Sequence, residues 1–138
     1  MKILIIDGQG GGMGGSIVSE LKAKFPQLEL IAIGTNSIAT SIMLKAGADH
    51  GATGENPVVY NAKDADIIIG PIGIVLANSL LGEVTPQMAA AVSGSKSKKM
   101  LIPTSKCNCY VAGTRDLGLS QYLSMIVEQI RSYIDSQL

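Results

Sequence analysis

The segment Asp7-Gly-Gln-Gly-Gly-Gly-Met-Gly-Gly-Ser16 constrains the fold more than any other part of the chain. It follows the β-branched apolar run Lys2-Ile-Leu-Ile-Ile-Asp7 and precedes Ile17, Val18, Leu21 and Phe25, which recur at helical spacing. A short apolar run closed by glycines reads as a strand buried on both faces. Pro26 then ends the helix, because it lacks the N–H that a helix interior needs. Strand, glycine loop and helix in this order are the setting in which glycines serve a phosphate. Gly10, Gly12 and Gly15 satisfy G-x-G-x-x-G, and Gly8, Gly12 and Gly14 satisfy G-x-x-x-G-x-G. Either way, one glycine must turn with positive φ, and another must let backbone N–H groups approach a pyrophosphate with no Cβ between them. The helix N-terminus adds its partial positive charge. Gly8, Gly10, Gly12, Met13, Gly14 and Gly15 are therefore the candidate cofactor contacts of this loop. The competing reading is a turn that only packs helix on strand. Asp7 is unfavourable beside a pyrophosphate unless it caps loop amides or holds a cation, and capping is the expectation.

The rest of the chain alternates strands and helices. Leu28–Ile33 reads as a second strand stopped by Gly34, and Ser37 as the cap of a helix through about Ala46, ended by Gly47. Two readings of the third strand stay open. One is Asp49–Thr53, followed by Asn56 as cap and Pro57 at the first helical position; the other is Val58-Val59-Tyr60. Spacing favours the first. Asp66–Gly70 is a fourth strand, with a helix expected through Leu81, and Thr85-Pro86 opens a further helix ending near Gly94. A basic turn, Lys96–Lys99, leads into a strand at Met100–Thr104. Tyr110–Gly113 reads as a sixth strand, too close behind for a parallel crossover and so antiparallel. Ser120–Gln137 is the closing helix, with Leu123, Ile126, Val127, Ile130 and Ile134 on one face. The expectation is one α/β domain over 1–138. Its architecture is a Rossmann-like three-layer sandwich: a mainly parallel sheet of about five to six strands with helices on both faces and an antiparallel last strand. Such sheets bind ligands at the carboxyl ends of their strands.

Composition narrows the partners. Eleven basic residues balance 11 acidic ones, which argues against nucleic acid. Hydrophobic residues make up 46% and charged ones 16%, more apolar than an ordinary surface requires, so a homo-oligomer is expected. No apolar stretch reaches the roughly 20 residues that span a bilayer. Ile3–Ile6 is too short for a signal-peptide core, and the expected location is cytoplasmic with no membrane partner. Two cysteines and one histidine make a poor metal site, and no metal is expected. Cys107 and Cys109 are too close in sequence for an unstrained disulfide. Cys107 beside Lys106 reads either as a thiol of lowered pKa or as an inert, buried one. His50 reads as a surface or strand residue, and Glu55 as a candidate for acid–base work.

About 20 residues past the glycine loop, a dinucleotide site carries an Asp or Glu for the ribose hydroxyls. This chain has Gly34-Thr35-Asn36-Ser37 there. Neutral donors do not repel a 2′-phosphate, so Thr35, Asn36 and Ser37 tip the expectation from NAD toward NADP, although no arginine is at hand to clamp the phosphate. Ser37 or Asn36 can also cap the helix that follows. Gly70, Pro71 and Gly73 follow the fourth strand, where two glycines either let backbone approach a ribose or nicotinamide or form a tight turn.

Gly8, Gly12, Met13 and Gly14 resemble the T-G-x-x-x-G-[IM]-G loop of short-chain dehydrogenases, with Asp7 where that family has threonine. The resemblance covers roughly the first half of the chain and implies a nicotinamide dinucleotide at Gly8, Gly12 and Gly14. It does not bring that family's Tyr-x-x-x-Lys pair, since Tyr60 is followed by Lys63. Gly11-Gly-Met-Gly-Gly-Ser16 also resembles the deviant phosphate loop of partition ATPases, with Gly15 where those have lysine. Nearly the whole chain resembles a family of short bacterial proteins of unknown function. The shared segments are Asp7-Gly-Gln-Gly-Gly-Gly12, Gly34–Thr40, Gly51–Asn56, Gly70-Pro-Ile-Gly73 and Leu101-Ile-Pro103. The combined expectation is a small NAD(P)-binding protein of regulatory or accessory role. The alternatives are a compact NADP-dependent oxidoreductase completed by a second subunit, and an enzyme acting on a phosphorylated metabolite.

Overall fold

A computed structural model describes every residue of 1–138 except Lys106. Five strands form one sheet: β1 (Ile3–Asp7), β2 (Leu30–Gly34), β3 (His50–Thr53), β4 (Ile67–Pro71) and β5 (Lys98–Ile102). All pairs are parallel and the order is β3-β2-β1-β4-β5. Ile3 and Ile5 point into the layer of α1 (Gly12–Lys24), α2 (Ser37–Lys45) and α5 (Leu119–Ser136). Leu4 and Ile6 point into the opposite layer, with α3 (Glu55–Ala62) and α4 (Pro86–Ser93). This two-residue alternation, covered on both sides, is why the first strand is apolar without interruption. The strand order is that of the Rossmann fold without its sixth strand, and the chain reverses direction across the sheet between β1 and β4.

Of the two readings of the third strand the favoured one holds: β3 is His50–Thr53, and Val58-Val59-Tyr60 lies in α3. Four local expectations are corrected. The N-cap of α3 is Gly54 and not Asn56. The expected helix through Leu81 does not form. β4 passes into a 3₁₀ turn at Ile72–Val75, and residues 76–84 make an irregular strap with Asn78, Leu80, Leu81 and Gly82 all at positive φ. A helix cannot contain that run. The strap instead closes on itself through Asn78 N–H to Val84 O at 2.7 Å and buries Leu80 and Val84 against the sheet. Asn36, rather than Ser37, caps α2, its side-chain oxygen accepting the Ala39 amide at 2.9 Å. Finally, β5 stops at Ile102, since Pro103 has no N–H for the ladder. Tyr110–Gly113 forms no strand, and the antiparallel sixth strand is absent among the described residues. The 103–118 segment folds toward α5 instead, where the Tyr122 hydroxyl donates to Arg115 O at 2.6 Å. Among the described residues no helix is long and apolar enough to cross a membrane.

Candidate functional site

The glycine loop divides into a packed half and an open half. Asp7, buried at the end of β1, accepts the Gly8 amide at 2.8 Å on one carboxylate oxygen and the Gly14 amide at 2.6 Å on the other. Its carboxylate thus pins the loop and caps α1. The left-handed turn falls on Gly11, at φ 72°, where an added Cβ would sit 2.7 Å from Ala39 Cα. Gly14 is pressed against Met43, and Gly15 against Ile42, so both let α1 lie close on α2. Gly10 and Gly12 are different. Both are exposed, and a Cβ on either would meet nothing within 4 Å. Among the described residues, the amides of Gly10, Gly12 and Met13 find no acceptor. Those of Gly12 and Met13 are orphan donors that a helix leaves at its N-terminus, and that of Gly10 lies just before the N-cap Gly11.

Met13 also lines a cleft of about 650 Å³ between the end of β5 and the 103–118 segment. Thr104, Ser105, Asn108, Cys109 and Arg115 supply its polar lining, and Ile102, Val111, Leu117, Leu119 and the rings of Tyr110 and Tyr122 its apolar one. Open backbone donors and an amphipathic cleft therefore meet at Met13.

On the β2 side the loop is covered. The strap brings Glu83 over Gly8, and Glu83 Oε1 accepts the Gln9 amide at 2.8 Å, the Thr35 hydroxyl at 2.6 Å and the Asn36 side-chain amide at 2.8 Å. Burial pushes the Glu83 carboxyl up, but the bonds from Thr35, Gln9 and Asn36 outweigh it and hold the group below its ordinary value. Leu80 also lies on Gly8. Thr35 and Asn36 are therefore spent on the chain's own carboxylate, and Ser37 stands at the first position of α2. Near β4, Gly70 allows β1 to pass close at Ile6 O, and Pro71 is buried as the last residue of that strand. Space beside Gly73 is taken by Cys107 Sγ and Ser79, whose hydroxyl donates to Gly73 O.

Three minor candidates resolve simply. His50 is exposed at the opposite end of the sheet and pairs with Glu29 at 2.9 Å. Glu55 accepts the Thr85 hydroxyl at 2.6 Å. The reading of Cys107 as a lowered thiol is overturned, because burial pushes it up, against a smaller lowering contact from the Gly73 amide. Lys106, which that reading invoked, lies outside the described residues.

A family model described as domain of unknown function (DUF3842) matches residues 2–135. The chain belongs to that family. This match spans nearly the whole chain. No curated protein matches. Among solved structures, the chain is similar to a dodecameric FMN-dependent UbiX-like decarboxylase from Escherichia coli O157:H7. The two share 15% identity and a TM-score of 0.45, over 92% of this chain and 75% of that one. The expectation of NADP or NAD is corrected by the chain's own geometry: in this DUF3842 chain Glu83 occupies Thr35 and Asn36, the donors assigned to the ribose and its 2′-phosphate.

Glu83, Arg115, Gly11 and the β5 cleft are the site features that sequence reasoning missed. The absent acid after β2 left neutral donors there, and nothing in the spacing pointed to residue 83 as their partner. For Gly11, six glycines in eight positions fit several fingerprints, and only the backbone angle separates the turning one from its neighbours.

Proposed function

We propose that this DUF3842 chain binds a small phosphorylated ligand, of mononucleotide size or less. Its phosphate lies on the amides of Gly10, Gly12 and Met13, and its remainder lies in the β5 cleft. The observation that carries the reading is that three unpartnered amides lie at and just before the head of a 13-residue helix, and that one of their residues, Met13, also lines an amphipathic cleft. Helix N-termini of this kind favour anions through both their N–H groups and the helix dipole. The cleft has the volume of a small-molecule site and mixes apolar walls with a few polar groups. Arg115 supplies a cation near it, and Asp7 holds the loop in shape through the Gly8 and Gly14 amides without using the three open ones.

The test compares phosphorylated and dephosphorylated partners, FMN against riboflavin and AMP against adenosine, with inorganic phosphate and NADP as further arms. Each phosphorylated ligand that fits should stabilise the protein at least about tenfold more effectively than its dephosphorylated partner. Gly12→Asp is the companion variant. Its side chain enters open space at the first position of α1, so the fold is kept while the new carboxylate repels the phosphate. Stabilisation that ignores the phosphate, or survives Gly12→Asp unchanged, would overturn the proposal. Exposed Leu81 and Ile38 support a homo-oligomer, and a monomer mass by light scattering would contradict that part.

A further inference from the structure

A single carboxylate oxygen, Glu83 Oε1, collects a backbone N–H from Gln9, a hydroxyl from Thr35 and a carboxamide N–H from Asn36. Three donors of different kinds converging on one point make a cradle for the oxygen of an anion. The cradle is built by elements that do not depend on the strap. Thr35 and Asn36 follow β2, Gln9 follows β1, and the Thr35 amide donates to Asp7 O at 2.9 Å. Asn36 is fixed at both ends of its side chain, by the Ala39 amide at 2.9 Å and by Gln9 O at 2.9 Å. The strap that delivers Glu83 is held less economically. Asn78, Leu80 and Leu81 are all left-handed, and Leu81 is 96% exposed, so it gains nothing from packing. Strained backbone of this kind persists where other contacts hold it, and Glu83 in the cradle is such a contact beside the buried Leu80 and Val84.

We propose that the Gln9 amide, the Thr35 hydroxyl and the Asn36 carboxamide form an anion subsite that Glu83 fills in cis, and that a carboxylate or phosphate group of a ligand displaces Glu83, and with it strap 76–84. This goes beyond the phosphate reading above and does not need it.

Full-length Glu83→Ala is compared with wild type in sodium formate and in sodium chloride at equal ionic strength. The subsite predicts a Tm lowered by roughly 5–10 °C in chloride. Formate should restore about half of the loss or more, with a dose-dependent shift of the Gln9 amide resonance. Wild type should show the Gln9 shift only at about tenfold higher formate, because formate must first displace Glu83. A Glu83→Ala protein whose Tm and Gln9 amide ignore formate would overturn the proposal. Glu83→Gln keeps the side chain's shape and guards against a variant that fails to fold. There the probe is inorganic phosphate, with about tenfold tighter binding at the Gln9 amide than in wild type. A difference under about twofold would overturn the proposal as well. Both titrations are repeated in a Gly12→Asp background, which closes the open amides. A Gln9 response that persists there belongs to the cradle alone, so failure of the cradle and failure of the phosphate site are read separately.

Discussion

The two halves of the glycine loop share one stretch of backbone and have opposite fates. Toward β2, the Gln9 amide meets Glu83, and Gly8 lies beneath Leu80 and Glu83. Toward β5, Gly10, Gly12 and Met13 keep their amides open, and Met13 lines a cleft. Missing side chains alone therefore do not mark a ligand site. Gly11 is there for its left-handed turn and its contact with Ala39, and Gly14 for its contact with Met43, whereas Gly10 and Gly12 leave space that the protein itself does not fill. The part of the fingerprint that speaks of function is the part with neither strain nor neighbours.

The comparison can be broken by making the same change on both sides. Gly11→Ala places a Cβ against the Ala39 backbone at a positive φ and should cost about 2–4 kcal/mol in urea unfolding, the largest effect foreseen. A cost below about 1 kcal/mol would remove the packed half of the contrast. Next comes Glu83→Ala, which strips one acceptor from three donors and should cost about 2 kcal/mol in the same assay. Acid should then erase the difference between wild type and Glu83→Gln. The folded carboxyl titrates below its ordinary value of 4.5, so its stabilisation is complete above that pH and fades as pH falls through the folded value. A gap between the two proteins that stayed constant from pH 6 to well below the carboxylate range would contradict the ionised cradle. The smallest effect is Gly12→Ala. In open space at the start of α1 it should leave stability unchanged or raise it by up to about 1 kcal/mol, seen as a slightly higher Tm.

What could be read in the sequence follows the same division. The sheet was legible because Ile3–Ile6 and Ile67–Ile69 are buried on both faces, and only a parallel sheet with helices on each side does that. Thr85-Pro86 announced α4 through its own chemistry, and the Thr85 hydroxyl does accept the Met88 amide at 3.1 Å. The strap was illegible because Asn78-Ser-Leu-Leu81 has the composition of a helix. Its left-handed angles are imposed by Leu80 and Val84 packing on the sheet and by Glu83 bonding to residues 74 and 48 positions earlier in the chain. The sixth strand failed for a related reason: β5 ends at Ile102, and the segment that follows is drawn toward α5, where the Tyr122 hydroxyl holds Arg115 O. In the site, the loop itself was visible, while its accessible half and the β5 cleft depend on tertiary contacts that no local pattern encodes.

The most direct measurement is a titration of isotope-labelled full-length protein with inorganic phosphate, followed at each backbone amide. The account predicts saturable shifts at Gly10, Gly12 and Met13, with little change at Gly14, whose N–H is already held by Asp7, and loss of those shifts in Gly12→Asp. Shifts that avoid these three amides, or that persist in Gly12→Asp, would contradict it.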